Sequence, residues 1–191
     1  MQDKLNMNLD YKGIEIYYTD KGKGNPIVLL HGFLENSNMW YNLAPKLLLN
    51  NRIITIDLLG HGQTGCLGYI HSMEQMAEAV DAVIKYLKIN TFTCIGHSMG
   101  GYVALAYAEK NPDSLTGLCL MNSTFLADDN ERKTLRTRAN KMAQTNFEAL
   151  IRMSFINLFS PESRIQYKSE LEFALNEALK TPVQGYIASS E

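Results

Sequence analysis

The sequence predicts an α/β fold: a mostly parallel sheet, an antiparallel hairpin at its N-terminal end, and helices packed against it. Three observations carry this. Short, wholly apolar runs such as Ile27-Val28-Leu29-Leu30 suit strands covered on both faces. Such runs alternate with segments of helical period, which implies right-handed crossovers between parallel strands. Apolar and aromatic residues on either side of Lys12-Gly13 read as a hairpin, over about residues 5–11 and 13–19.

The elements follow in order. Lys21-Gly22-Lys23-Gly24-Asn25-Pro26 is a turn cluster, and the strand 27–30 ends at His31-Gly32. Residues 39–49 read as a helix and 52–56 as a buried strand ending at Asp57. The strongest helix is 72–88, where Met73, Met76, Ala77, Val80, Val83, Ile84 and Leu87 keep the 3.6 period. Ser72 and Gln75 at its start fit a capping box. A strand over 91–95, a helix over 99–110 stopped by Asn111-Pro112, and a strand over 115–121 complete the alternation. After residue 124 the pattern turns helical throughout (130–145, 147–158 and 161–180), with charge concentrated at Glu131, Arg132, Lys133, Arg136, Arg138 and Lys141. Residues 1–124 are therefore expected to form the sheet-bearing core and 125–191 a helical segment over it.

The 191 residues are 46% hydrophobic and 20% charged with a net charge of −2, a balance that offers no basic face for nucleic acid or an anionic membrane. No apolar run approaches the roughly 18 residues of a membrane span, and the polar start shows no export signal, so a cytoplasmic protein is expected. Cys66, Cys94 and Cys119 are widely spaced and form no CxxC; Cys94 and Cys119 lie in apolar runs and read as small buried hydrophobes. Neither a metal nor a cofactor is expected.

Chemistry concentrates in three turns. Gly96-His97-Ser98-Met99-Gly100 fits G-x-S-x-G between a strand and a helix. There the serine sits on a sharp turn at a helix N-terminus, which favours an oxyanion. His31-Gly32-Phe33 follows one strand, and Asp57-Leu58-Leu59-Gly60-His61-Gly62-Gln63-Thr64 follows another. All three turns fall at C-terminal strand ends, where open α/β sheets hold their ligands.

HGF, DLLGHGQT and GHSMGG, in this order and spacing, resemble the α/β-hydrolase superfamily over about residues 10–124. The resemblance implies that Ser98 is the nucleophile and that Phe33 and Met99 supply a backbone oxyanion hole. It also places His31, Gly32 and His97 at the substrate pocket and makes the segment after 124 a helical cap. The implied activity is hydrolysis of an ester-like carbonyl compound, a small-molecule substrate. The family's acid and histidine follow the serine on later strands, and here no histidine follows Ser98. Asp113, Asp128 and Asp129 read as helix-end or surface groups, His31 and His61 as loop-shaping, His71 as a solvent-exposed loop residue, and His97 as part of the pocket wall. The chain is thus expected to be a hydrolase core lacking its last strands, with an incomplete cap, and inactive alone. Strand 115–121 would be an apolar edge, making the chain poorly soluble or oligomeric unless a second chain or a C-terminal segment completes the sheet. Two alternatives stay open: a non-catalytic binding homologue, and a member similar to the menaquinone-pathway lyase of the superfamily, to which HGFLENSNMW and the Glu131/Arg132/Arg136 cluster point.

Overall fold

A computed structural model describes residues 7–190. Its six strands are β1 (Met7–Tyr11), β2 (Ile14–Gly22), β3 (Asn25–Leu30), β4 (Asn51–Ile56), β5 (Phe92–His97) and β6 (Leu115–Met121). They form one sheet in the order β1-β2-β4-β3-β5-β6. The β1–β2 and β2–β4 pairs are antiparallel, whereas β4–β3, β3–β5 and β5–β6 are parallel. The expected mixed architecture is present. Positive φ at Lys12 (52°) and Gly13 (84°) closes the first hairpin as a two-residue turn whose twist matches its strands. Residues 5 and 6 of that expected strand lie outside the described residues.

Helices α1 (Ala44–Leu47), α2 (Met73–Tyr86) and α3 (Met99–Lys110) connect the strands. The single helix expected over 39–49 does not form: a 3₁₀ turn at Ser37–Trp40 is followed only by the short α1. Pro45 explains this, because it has no N–H to offer the Tyr41 carbonyl and so breaks a continuous helical ladder. In α2 the Ser72 hydroxyl accepts the Gln75 N–H while the Gln75 side chain accepts the Ser72 N–H, the reciprocal cap the spacing predicts. A cap of this kind stabilises a helix by about 1 kcal/mol.

The main core lies between the sheet and α2–α3. Val28, Leu30, Ile54 and Ile56 meet Met76, Val80, Val83, Val103 and Tyr107, all buried. On the opposite face a smaller cluster gathers Leu29, Trp40 and Ile53. Cys94 is buried as expected, and burial pushes its thiol up to about 12. Cys119 is exposed, contrary to expectation, because β6 is the last strand and no described element covers that side of it. Leu118 is 40% exposed on the same strand, so the described sheet ends in an uncovered apolar edge.

Residues 130–190 form α4 (Asn130–Phe155), α5 (Pro161–Gln166), α6 (Lys168–Ala178) and α7 (Val183–Ser190). The boundary expected near residue 146 is a kink inside α4, where Asn146 leaves helical geometry (φ −151°, ψ 71°). The helix expected over 161–180 is broken at Tyr167 (φ −118°, ψ 45°), and α7 is an additional helix. Ala143, Leu150, Ile151, Phe155, Ala178 and Tyr186 bury their apolar sides with Leu34, which follows the β3 turn. These helices therefore sit over the C-terminal strand ends. Among the described residues no helix is long and apolar enough to cross a membrane.

Candidate active site

The β5–α3 turn holds Ser98 at φ 47°, ψ −114°, a conformation that a side chain-bearing residue adopts only under constraint. Three bonds impose it. The Ser98 N–H donates to the Met121 carbonyl at 3.0 Å, and the Gly101 N–H reaches the Ser98 carbonyl at 2.9 Å. The Ser123 hydroxyl donates to that same carbonyl at 2.8 Å. The end of β6 thus braces the elbow from outside. A side chain on Gly96 would collide with the Gly100 backbone, so the chain can reverse only with glycine there.

The β3 turn abuts this elbow. A Cβ on Gly32 would stand 3.2 Å from Ser98 Cβ and 2.9 Å from His97 Nδ1. The Gly32 N–H donates to Glu35 Oε2 at 2.6 Å, and His97 Nδ1 contacts the same oxygen at 2.8 Å. The peptide N–H groups of Phe33 and Met99 donate to no described residue, whereas those of Gly32 and Ser98 immediately before them are engaged. Ser98, Phe33 and Met99 all line one cavity of about 720 Å³. Its other walls include Ile70, Met73 and Tyr102 from the core and Lys133, Arg136 and Asn140 from α4.

The third turn is built as scaffold. Asp57, at the end of β4, accepts the Ser37 N–H at 2.7 Å through one oxygen and the Gln63 N–H at 2.8 Å through the other. His31 is fully buried, and its Nε2 accepts the Leu58 N–H at 2.8 Å. Because a backbone N–H can only donate, that nitrogen carries no proton. The ring proton is therefore on Nδ1, donated to the Gly32 carbonyl at 2.8 Å. Burial holds this imidazole below its usual range, with the Asp57 carboxylate opposing the shift. His61 is also fully buried; its Nδ1 meets the Leu59 carbonyl at 3.1 Å, and burial, reinforced by His31, pushes it down to about 3.

His71 departs from expectation. It is 1% exposed rather than a solvent-facing loop residue, because α7 covers it: its backbone N–H donates to the Ala188 carbonyl at 2.7 Å and its Nδ1 faces Ser189 Oγ at 3.3 Å. Its Nε2 accepts the Leu67 N–H at 3.0 Å. His31, Gly32 and His97, expected at the substrate pocket, do not line the large cavity; they form the layer that shapes the Phe33 turn and the elbow. Among the described residues no histidine or carboxylate bonds the Ser98 hydroxyl. Of the aspartates, Asp129 caps α4 by accepting the Arg132 N–H at 2.8 Å, and Asp128 pairs with Arg136 at 2.5 Å beside the cavity. No described group of three or more histidine, cysteine or acidic side chains is placed to hold a metal ion. Glu35 escapes sequence reading, although its place three residues after Gly32 lets it fold back onto that N–H.

The sequence pattern of the family described as "alpha/beta hydrolase fold" matches residues 25–188. The chain belongs to this family. Within the alpha/beta hydrolase fold family it is 29% identical over 171 residues to a mouse (Mus musculus) serine hydrolase-like protein, covering 87% of this chain and 55% of that one. It is 23% identical over 164 residues to (E)-2-((N-methylformamido)methylene)succinate hydrolase of Acinetobacter baylyi, covering 86% of this chain and 59% of that one. A thermophilic esterase from Thermogutta terrifontis superposes with a TM-score of 0.90 at 27% identity, covering 97% of this chain and 70% of that chain. The chain thus spans less than three fifths of these two curated relatives. Hydrolases and esterases are well represented among the proteins it resembles.

Proposed function

We propose that this alpha/beta hydrolase chain is the nucleophile-bearing part of a serine hydrolase acting on ester-like carbonyl compounds. The observation that carries the reading is the strained Ser98 lining the same cavity as Phe33 and Met99, whose N–H groups donate to no described residue. Ser98 Oγ attacks the carbonyl carbon, the carbonyl π electrons move onto oxygen, and the two N–H groups bind the resulting oxyanion. The serine proton passes to a base and then to the leaving alkoxide; water repeats the sequence to release the acid and restore the serine. His31, His61 and His71 are buried in loop-shaping bonds and His97 faces Glu35. We therefore assign the base, and the acid that orients it, to polypeptide outside residues 1–191, supplied by a C-terminal segment or a second chain that also covers β6. In this reading residues 1–124 serve as the catalytic core and 125–191 as the cap.

A fluorophosphonate probe tests this. It should label Ser98 in the intact gene product that carries this sequence, and Ser98→Ala should abolish labelling. The 191-residue chain alone should turn over esters at least about 10³-fold more slowly, since a serine without its base retains only what binding and the oxyanion hole supply. An intact product that neither labels nor hydrolyses any ester would instead establish a binding homologue.

Lys133 on the cavity wall, where Arg136 is already paired with Asp128, favours a narrower reading, in which the substrate carries a carboxylate. Lys133→Glu should then lower kcat/KM for an acidic ester by about 10- to 100-fold, the value of a charge-assisted bond. A neutral ester of the same acyl group should be little affected. An equal loss on both esters would remove the carboxylate from the reading.

A further inference from the structure

We propose that Glu35 is a positioning residue for the oxyanion hole, acting with His97 as a clamp between the Phe33 turn and the Ser98 elbow. The inference rests on the assignment of Ser98 and Phe33 above. One carboxylate oxygen, Glu35 Oε2, holds both the Gly32 N–H at 2.6 Å and His97 Nδ1 at 2.8 Å. His97 is the residue immediately before Ser98, and Gly32 immediately precedes Phe33, so this single oxygen joins the two chain segments that carry the oxyanion donors. An ionised carboxylate only accepts, so the proton in the His97 contact is on Nδ1.

The neighbouring atoms explain why the clamp acts on Phe33. Both polar atoms of Gly32 are consumed: its N–H by Glu35, and its carbonyl by the Glu35 N–H at 3.2 Å and the His31 ring at 2.8 Å. With Gly32 pinned at both ends, the peptide plane that joins its carbonyl to the Phe33 N–H is held in place. A Cβ on Gly32 would stand 2.6 Å from Glu35 Oε2 and 2.9 Å from His97 Nδ1, so the glycine leaves room for the clamp itself. The pair is only partly shielded, at 24% and 21% side-chain exposure, so its contribution to folding stability is small. Its contribution to preorganisation is direct. A donor displaced by a fraction of an ångström from the developing oxyanion loses much of its value, and loss of one such donor costs about 10²–10³ in rate.

Geometry and charge make opposite predictions for two substitutions. The amide oxygen of Glu35→Gln can accept both N–H groups, whereas Glu35→Asp keeps the charge but is one methylene short. The experiment measures fluorophosphonate labelling of Ser98 in the intact gene product, resolved into maximal rate and affinity, for Glu35→Ala, →Gln, →Asp, His97→Ala and the Glu35→Ala/His97→Ala pair. Positioning predicts that Glu35→Ala lowers the maximal rate at least about 10-fold with little change in affinity, and that Glu35→Asp falls with it. Glu35→Gln should recover to within about 3-fold of the parent, and the double variant should be no slower than either single one. A second readout uses the same intact gene product. The Gly32 amide proton should resonate far downfield, as a short bond to a carboxylate requires, and should move upfield in Glu35→Ala. Glu35→Ala labelling within about 2-fold of the parent, or Glu35→Asp retaining what Glu35→Gln loses, would overturn the clamp while leaving Ser98 as nucleophile. Absence of labelling in the parent itself would overturn the Ser98 assignment, and the clamp with it.

Discussion

Gly100→Val is expected to destabilise the protein by more than about 3 kcal/mol, beyond the usual range for added methylenes in a core. Gly100 is the second residue of α3, and at this point the helix backbone rests directly on the end of β3. A Cβ there would overlap the Leu30 carbonyl oxygen and stand 2.6 Å from that of His31. Neither obstacle is the tip of a flexible side chain; both are sheet or turn backbone. Relief therefore requires lifting α3 away from the sheet, which separates Val103, Ala104 and Tyr107 from the main core. The measurement is the urea midpoint against that of Gly117→Ala. There the added methyl meets the Thr93 side chain at an ordinary 3.5 Å. That control should shift stability by no more than about 0.5–1 kcal/mol in either direction. Equal midpoints for Gly100→Val and the parent would refute the close approach of α3 to β3.

The same contact shows why part of this molecule is readable from its sequence. The elbow over residues 96–100 needs only local facts: an apolar strand, a sharp reversal, and residues small enough to allow it. The strand 115–121 and the capped helix from Ser72 are likewise local, written in period and composition. What the sequence does not display depends on partners far along the chain. His71 looks like a loop residue until α7, with Ser189 118 positions later, closes over it. Cys119 reads as core because its strand is apolar, and only the strand order makes that strand an edge. The Glu35–His97 contact spans 62 positions and joins two turns that no periodicity connects. The helix expected over 39–49 is lost for a local reason, since Pro45 lies inside an otherwise helical run. In the candidate site the expected serine and turns converge. Among the histidines, His31 and His61 shape loops as expected, whereas His71 is buried instead of exposed and His97 contacts Glu35.

Burial of three of the histidines makes the chain acid-labile in a defined window. Burial lowers the affinity of His31, His61 and His71 for a proton, and for His61 the value falls to about 3 from the ordinary 6.5. The unfolded chain therefore binds more protons than the folded one below pH 6.5. Stability is fully present above that pH and is lost as the pH falls toward the folded values. Each such histidine steepens the dependence by up to about 1.4 kcal/mol per pH unit, and His61 alone accounts for about 4–5 kcal/mol by pH 3. That is comparable to the whole stability of a small domain, so the chain should unfold between about pH 3 and 5. The cause can be isolated at His61, because asparagine places its amide nitrogen where Nδ1 now faces the Leu59 carbonyl, whereas Nε2 has no partner among the described residues. His61→Asn thus keeps the one bond the ring makes and removes the titration. Urea unfolding between pH 7 and 4 should show the slope of stability against pH reduced by up to about 1.4 kcal/mol per unit in the variant. An unchanged slope would mean that His61 takes up its proton without unfolding, and that the turn after β4 opens to admit it.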